Sequence, residues 1–255
     1  GEGEARNAEA LKFRAGKVLE EVRGLSAQSS LNGEANAWII KPAGKSRGRG
    51  IQVSRSLREI LGFVTDVNSH AQSERYIVQK YIEDPLLVNG HKFDLRQWVL
   101  VTDLNPLKVW LYEQPYLRFA MEKFDLNSEG DRMSHLCNNC VQREGDDFEA
   151  VKDESMWELE RFIQHLEEKG QGDLWGRIIK PQISRVSVWA IMSALGVMEG
   201  RKGSCELYGY DFMCDSTGRV WLLEVNSSPD MAATTSVTKK LCHTCLSDIV
   251  KVVVD

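Results

Sequence analysis

The sequence predicts an α+β fold, and three observations carry that expectation. Glu206–Pro229, ELYGYDFMCDSTGRVWLLEVNSSP, reads as two β-strands around the turn Asp215-Ser216-Thr217-Gly218. A series of short segments rich in aromatic and β-branched residues, from Trp38 to Ala120, reads as further strands. Stretches near both ends and in the middle instead carry apolar residues at helical spacing. Together they imply mixed or antiparallel sheets flanked by helices.

The elements follow in order. Ala5 to Arg23 is predicted helical, with Leu11, Val18, Leu19 and Val22 apolar between Lys and Glu. Gly24 to Ala35 is loop-like. Trp38-Ile39-Ile40 is a short buried strand that delivers Lys41. The following loop, Gly44 to Gly50, holds three glycines and three cations in seven residues. Glycines let backbone approach a ligand closely, and cations compensate phosphate charge. Gly44-Lys45-Ser46 is not a P-loop, because Ile39 occupies the position where that motif needs a glycine. A basic surface loop is the plainer alternative. Ser56 to Gly62 is a short helix capped by Ser54 or Ser56.

Tyr76 to Ile82 is the next strand, and Lys80 on it is either a ligand contact or an edge charge. In His91 to Val101, alternation puts Lys92, Asp94 and Arg96 on one face and Phe93, Leu95, Val99 and Val101 on the other. That charged face is either a site or a solvated surface. Leu104-Asn105-Pro106 turns the chain into Leu107–Tyr112, and Tyr116–Ala120 follows. Arg118 there is a buried anion-binding arginine or an ordinary surface one. Ser134 to Cys140 reads as a polar loop. Asp146 to Lys169 is a charged helix. Leu174–Ile179 and Ile183–Met198 are a further pair of helices, separated at Pro181. The last helix runs from about Ser236 to Val253.

The hairpin carries the sharpest chemistry. If Cys214 pairs with Arg219, Asp211 faces Leu222, and Leu222, Glu224 and Asn226 share the face of Asp211. Glu224 is then its diagonal neighbour, about 7–8 Å away. Two carboxylates that close need a positive charge between them, and Mg²⁺ prefers such oxygens. A solvated hairpin face is the alternative.

Bulk properties set the class. The 255 residues suffice for one large domain or two small ones, and 42% hydrophobic with 27% charged residues is ordinary for a globular protein. A net charge of −5 excludes a generally basic nucleic-acid binder. No apolar run approaches the ~20 residues of a membrane span. The opening GEGEARNAEA has no apolar core of a signal peptide, and the missing initiator Met reads as a piece of a longer chain. The cysteines suggest reduced thiols. Cys137-x-x-Cys140 and Cys242-x-x-Cys245, with His135 and His243, invite zinc, but the pairs lie too far apart for a compact module. Cys245 also shares the apolar stripe Val237, Leu241, Ile249, which favours buried free thiols.

The motifs as a set are similar to one family. Lys41-Pro42 before Arg47-Gly48-Arg49-Gly50-Ile51, then Gln79-Lys80-Tyr81-Ile82, Lys92-Phe93-Asp94-Leu95-Arg96, Tyr210-Asp211-Phe212-Met213 and Leu223-Glu224-Val225-Asn226-Ser227-Ser228-Pro229, in that order, resemble the tubulin tyrosine ligase-like family. The resemblance implies an ATP-grasp fold with nucleotide between its lobes. It implies a leading remnant at 1–37, a central lobe at 38–82 and a C-terminal lobe with the magnesium site at 83–255. It implies ATP and Mg²⁺ as cofactors. Lys41 would lie on the α-phosphate side, and Arg47 and Gly48 would form the phosphate lid. Gln79, Lys80, Tyr81 and Ile82 would hold adenine. Lys92, Asp94 and Asn138 would contact the nucleotide. Arg96 and Arg118 would face the γ-phosphate and reacting carboxylates, and Asp211, Glu224 and Asn226 would bind magnesium, with Glu224 counted among the catalytic residues.

His135-Leu136-Cys137-Asn138 departs from the His-Leu-Thr-Asn of much of the family; Cys137-Asn138-Asn139, together with Lys45-Ser46-Arg47-Gly48-Arg49-Gly50, resembles its glycylase branch, the monoglycylases in particular. The implied reaction joins glycine to glutamate side chains of tubulin C-terminal tails through an acyl phosphate. The implied protein is a monomer of the cytoplasm, cytoskeleton and cilium, without nucleic-acid or membrane partners. Polyglutamylation on the same fold, and tubulin binding without catalysis, are the rival readings.

Overall fold

Antiparallel pairing is the rule in the computed structural model, which describes residues 2–25, 33, 35–45, 48–65, 75–128, 131–142, 152 and 154–254. Every strand pair among the described residues is antiparallel. Helices accompany these sheets, so the α+β expectation holds at that level. Two compact units are present, one of Gly1–Gly44 with Gly50–Glu83 and the other of Lys45–Arg49 with Asp84–Asp255.

The first unit begins with helix α1 (Glu2–Leu25). Its Leu11, Phe13, Val18, Leu19 and Val22 are all exposed. Strands β1 (Trp38–Pro42), β2 (Gln52–Ser54) and β3 (Tyr76–Lys80) form a sheet in the order β2-β1-β3. Ile40, Val53 and Tyr81 are buried in this unit. Helix α2 (Leu57–Thr65) is capped by Ser56, whose Oγ accepts the Glu59 N–H at 3.3 Å. Ser54 Oγ supports the cap by donating to Glu59 Oε2 at 2.6 Å.

The second unit is built on β5 (His91–Leu104), fourteen residues long. β4 (Leu87–Val88), β6 (Leu107–Leu111), β7 (Tyr116–Lys123) and β9 (Glu206–Cys214) all pair with it. β8 (Met156–Glu158) extends the sheet from β7, and β10 (Val220–Asn226) extends it from β9. Alternation along β5 sends Phe93, Leu95, Val99 and Val101 into a core shared with Leu117, Phe119, Tyr210 and Phe212. Helix α5 (Leu159–Glu168), a π-helical turn (Leu174–Ile179) and helix α6 (Lys180–Ala194) close that core through Phe162, Leu166, Ile179, Ile183 and Ile191. On the opposite face Trp98, Tyr116 and Met156 meet helix α7 (Ser236–Val254) through Val237, Leu241, Cys242 and Cys245. The stripe expected on that helix is therefore the one that packs.

Four local expectations are corrected. The charged stretch 146–169 is not one helix. Residues 146–151 lie outside the described residues, but Met156–Glu158 is the strand β8 and the helix starts at Leu159. Extended backbone sends neighbouring side chains to opposite faces, so Met156 enters one core and Trp157 the other. Pro181 does not break the helical run. It sits in the first turn of α6, where its missing N–H costs nothing, and the π-helical turn runs directly into it. Ser134–Cys140 is not simply a loop, because Arg132–His135 is a helical turn (α3) capped by Asp131 Oδ1 on the Met133 N–H at 2.9 Å, and a second turn (α4) spans Asn139–Gln142. The fourth correction, the hairpin register, bears on the site.

Candidate functional site

In the second unit, one face of the sheet gathers charge where the other gathers hydrocarbon. Arg96 pairs across the ladder with Asp211, and Asp94 with Arg118, so all four side chains share a face with Lys92. None of them is solvated: Lys92, Asp94, Arg96, Arg118 and Asp211 are all buried, Asp211 to 2% exposure. The solvated-surface alternative for this strand is thereby removed, and Arg118 is the buried arginine of the two readings.

Ion pairing explains how such a cluster is tolerated. Arg118 grips Asp94 with two bonds, Nε to Oδ1 at 2.6 Å and Nη2 to Oδ2 at 2.9 Å. The same Nη2 reaches Asp211 Oδ2 at 2.9 Å. Arg96 takes Asp211 from the other side, Nε to Oδ1 at 2.5 Å and Nη2 to Oδ2 at 3.2 Å. Charges thus alternate from Asp94 through Arg118 and Asp211 to Arg96. Burial raises the pKa of Asp211, but Arg118 and Arg96 outweigh it and hold the carboxyl below its ordinary range. At Asp94, burial prevails over Arg118 and the pKa rises, helped by the like charge of Asp211. Burial disfavours the charged Arg118, yet Asp211 and Asp94 raise its pKa well above the ordinary value.

The hairpin places Glu224 differently from the expected register. Val220 pairs with Cys214 and Leu222 with Phe212, and a β-bulge then puts Glu224 directly opposite Asp211. Leu222 does not share the face of Asp211; it packs against the hydrophobic core. Simple alternation after Leu222 would send Glu224 into the same core. The one extra residue of the bulge rotates Glu224 and Asn226 to the charged face, a re-aiming that bulges commonly perform. Asn226 Nδ2 donates to Glu224 Oε1 and to the Gly209 carbonyl, both at 3.3 Å. Glu224 is exposed, unlike Asp211.

Gly209 is a site residue that sequence reading passed over. A Cβ there would lie 2.8 Å from Pro229 Cβ and 3.2 Å from Arg96 Nη1. A glycine inside an otherwise aromatic strand signals such close approach. Gly209→Ala is expected to cost about 1–3 kcal/mol in urea unfolding through overpacking, because Pro229 or the Arg96 guanidinium must move.

The loop and turn residues of this unit also meet. Gly48 has φ +69°, and a Cβ there would lie 2.7 Å from Val141 Cγ2 and 3.2 Å from Asn138 Oδ1. Arg132 Nη2 donates to the Gly48 carbonyl at 3.1 Å. Arg47, expected beside it, lies outside the described residues. Lys92 Nζ donates to the His135 carbonyl at 2.7 Å, and Cys137 Sγ to the Lys92 carbonyl at 3.7 Å. Burial pushes the Cys137 thiol up to about 12, so it stays protonated at neutral pH. Cys137, Cys214, Cys242 and Cys245 are buried and not in disulfides, Cys245 as the apolar stripe suggested, whereas Cys205 is exposed.

In the first unit, the register sorts the remaining candidates. Ile39 pairs with Gln79 and Lys41 with Ile77, so Lys41 and Gln79 share one face of the small sheet. Lys80 pairs with Trp38 on the other face. Its ammonium donates to the Ala37 carbonyl at 2.9 Å and forms an ion pair with Glu83. Glu83 also accepts the Ala35 and Ala37 N–H groups at 2.9 and 2.7 Å. Tyr81 is buried, its N–H donating to the Ala37 carbonyl at 3.1 Å, and Ile82 is half-buried. Sequence reading passed over Glu83 as well; an acid three positions after a strand lysine was the available signal.

An Asp–Glu–Asn donor set offers only oxygens to a cation, which suits magnesium, a metal that takes one or two carboxylates and leaves the rest of its shell to water and phosphate. Asp211 Oδ1 accepts from Arg96 Nε and keeps a further lone pair, whereas Oδ2 accepts from both Arg96 and Arg118. Among the described residues no group of three or more His, Cys, Asp or Glu is placed to hold a metal.

The chain is 41% identical over 242 residues to protein monoglycylase TTLL8 of Mus musculus, covering 93% of the chain and 29% of that protein. It is 39% identical over 256 residues to tubulin monoglycylase TTLL3 of Homo sapiens, covering 99% and 33%. It is 43% identical over 244 residues to tubulin glycylase 3C of Tetrahymena thermophila, covering 94% and 22%. The chain thus spans a third or less of the length of these relatives. The model of the tubulin-tyrosine ligase family matches residues 6–255. With that match over nearly its whole length, the chain belongs to the tubulin-tyrosine ligase family.

Proposed function

We propose that this chain is the ATP-dependent ligase core of a tubulin monoglycylase, joining glycine to glutamate side chains of tubulin C-terminal tails. The observation that carries the reading is the likeness to glycylases of two mammals and of Tetrahymena thermophila over at least 93% of the chain. The buried row of Asp94, Arg96, Arg118 and Asp211 supports it, since a ligase that handles carboxylates and phosphates needs fixed cations. The fold is then ATP-grasp, with residues 1–37 a leading remnant, 38–82 a central lobe and 83–255 the C-terminal lobe. Such an enzyme works on microtubules in the cytoplasm and cilium as a monomer.

The substrate carboxylate is a poor acceptor, because its charge repels an amine and oxide leaves badly. Phosphorylation by ATP gives an acyl phosphate, and the glycine amine then displaces phosphate to form the isopeptide bond. Arg96 and Arg118, held rigid by their aspartates, orient the carboxylate and offset charge developing on the transferred phosphoryl group. Arg96 uses Nε and Nη2 on Asp211, which leaves Nη1 to meet an incoming anion. Lys41, Gln79, Lys80, Tyr81, Ile82, Arg47, Gly48, Lys92, Asp94 and Asn138 bind nucleotide. Asp211, Glu224 and Asn226 would hold magnesium, which would supply charge to neutralise phosphate oxygens.

The test is incubation of the chain with ATP, labelled glycine and a tubulin-tail peptide, followed by mass spectrometry. An ATP-dependent gain of one glycine on a glutamate side chain is expected. Incorporation of glutamate instead would make the chain a glutamylase, and no ATP-dependent gain would make it a binding module.

A further inference from the structure

The stretch 174–198 contains Arg177, Lys180 and Arg185 but no Asp or Glu, in a chain whose net charge is −5. It covers the π-helical turn and helix α6, whose inner side packs into the core through Ile179, Ile183 and Ile191. The outer side is unusual for a helix of a charged protein. Trp189 is 58% exposed, Met192 54% and Ile178 42%. Arg185, Trp189 and Met192 follow at i, i+4 and i+7, so they form one continuous strip. The Arg185 guanidinium lies 5.8 Å from the Trp189 ring centroid, which holds both side chains in place before anything binds. Arg177 and Lys180 are met only loosely, by Asp173 at 3.2 Å and Glu113 at 3.9 Å, in pairs whose members are all largely exposed. Among the described residues, Arg185 has no acidic partner.

An exposed tryptophan and methionine beside cations, on a rigid and fully packed helix, make an interaction surface rather than a solvated one. The charge selects the partner. Arg185 on the strip, flanked along the helix by Arg177 and Lys180 with no acid in the stretch, attracts an anionic partner and disfavours the same face of a second copy, and Trp with Met adds an apolar wall for a side chain. We propose that the outer face of helix α6 docks an acidic peptide segment, glutamate-rich and carrying an aromatic or aliphatic residue that stacks on Trp189. Contact with this face requires no catalysis, and it supplies a hold on an acidic chain separate from the Arg96 and Arg118 cluster. The proposal rests on the monoglycylase reading only for identifying that segment with a protein tail that is modified elsewhere along its length.

The experiment is fluorescence anisotropy with a labelled Glu-rich peptide of about twelve residues containing one Tyr, without ATP. It compares the wild-type chain with Arg185→Glu, Trp189→Ala and a control on another helix, Lys251→Glu. Arg185→Glu and Trp189→Ala are each expected to weaken binding about tenfold, with the control unchanged and all melting temperatures within about 2 °C, since these positions are exposed. Binding should also weaken as salt rises. Equal affinity in all four proteins, no binding at all, or loss of binding only with Arg96→Ala would overturn the inference. So would capture of phosphatidylserine vesicles by the same face without peptide binding. Glycine incorporation by the wild-type chain is scored separately, so failure of the ligase reading and failure of this docking face give different results.

Discussion

Arg118→Ala is expected to lose about 3–5 kcal/mol of stability, read as a fall in the urea midpoint, with a drop of roughly 10 °C in melting temperature. Among the described residues, Arg118 is the cation that touches both Asp94 and Asp211. Without it two carboxylates remain on a buried face with Arg96 on one of them only. The size of the effect comes from stranding a buried charge, not from the worth of the pair when intact. Two further measurements separate this account from a simple cavity. First, Arg118→Met combined with Asp94→Asn removes one cation and one carboxylate and should recover most of the loss. Second, the pH dependence has a definite sign. Asp211 is depressed, so its contribution is present above the ordinary carboxylate pKa and is lost as pH falls through the lower, folded value. Asp94 is raised, so its ionisation destabilises the fold as pH rises past the ordinary value. In Arg118→Ala that second effect grows, and the deficit against wild type should narrow as pH is lowered toward about 4. A deficit below about 1 kcal/mol at neutral pH would contradict the role given to Arg118.

Glu224→Gln is expected to lower turnover by about 10²–10³, while the melting temperature stays within about 2 °C. Glutamine keeps the shape of the side chain and removes its charge. Because Glu224 is exposed, whereas Asp211 is buried, the fold depends on it less. Asp211→Asn should behave differently, losing both turnover and stability, since both of its oxygens accept from buried arginines. The contrast between the two carboxylates is the useful readout. Normal turnover by Glu224→Gln, in the glycine-incorporation assay, would remove the magnesium assignment.

Much of this layout is legible in the sequence, and the reasons are local. Period-2 alternation assigns Lys92, Asp94 and Arg96 to one face and Phe93, Leu95, Val99 and Val101 to the other, and the strand keeps that division. The i, i+4 stripe of Val237, Leu241 and Cys245 likewise predicts which side of the last helix packs. Where the reading fails, the deciding influence is not local. Nothing in Met-Trp-Glu separates a strand from a helical turn until the edge of Tyr116–Lys123 offers hydrogen bonds at positions 156–158. Pro181 marks a boundary in any helical pattern, but only the packed helix shows it in a first turn that tolerates it.

The amino-acid order by itself determined the strands that carry the charged face, the packing stripe of the last helix, the family motifs and the residue types that share that face. At the site itself, tertiary structure alone decided two things. It buried the charged face, because alternation says which side chains point together but not whether solvent or another element meets them. It also turned Glu224 toward Asp211, because a single bulged residue reverses the facing of everything after it, and that residue is fixed by how two strands pair rather than by either strand's own sequence.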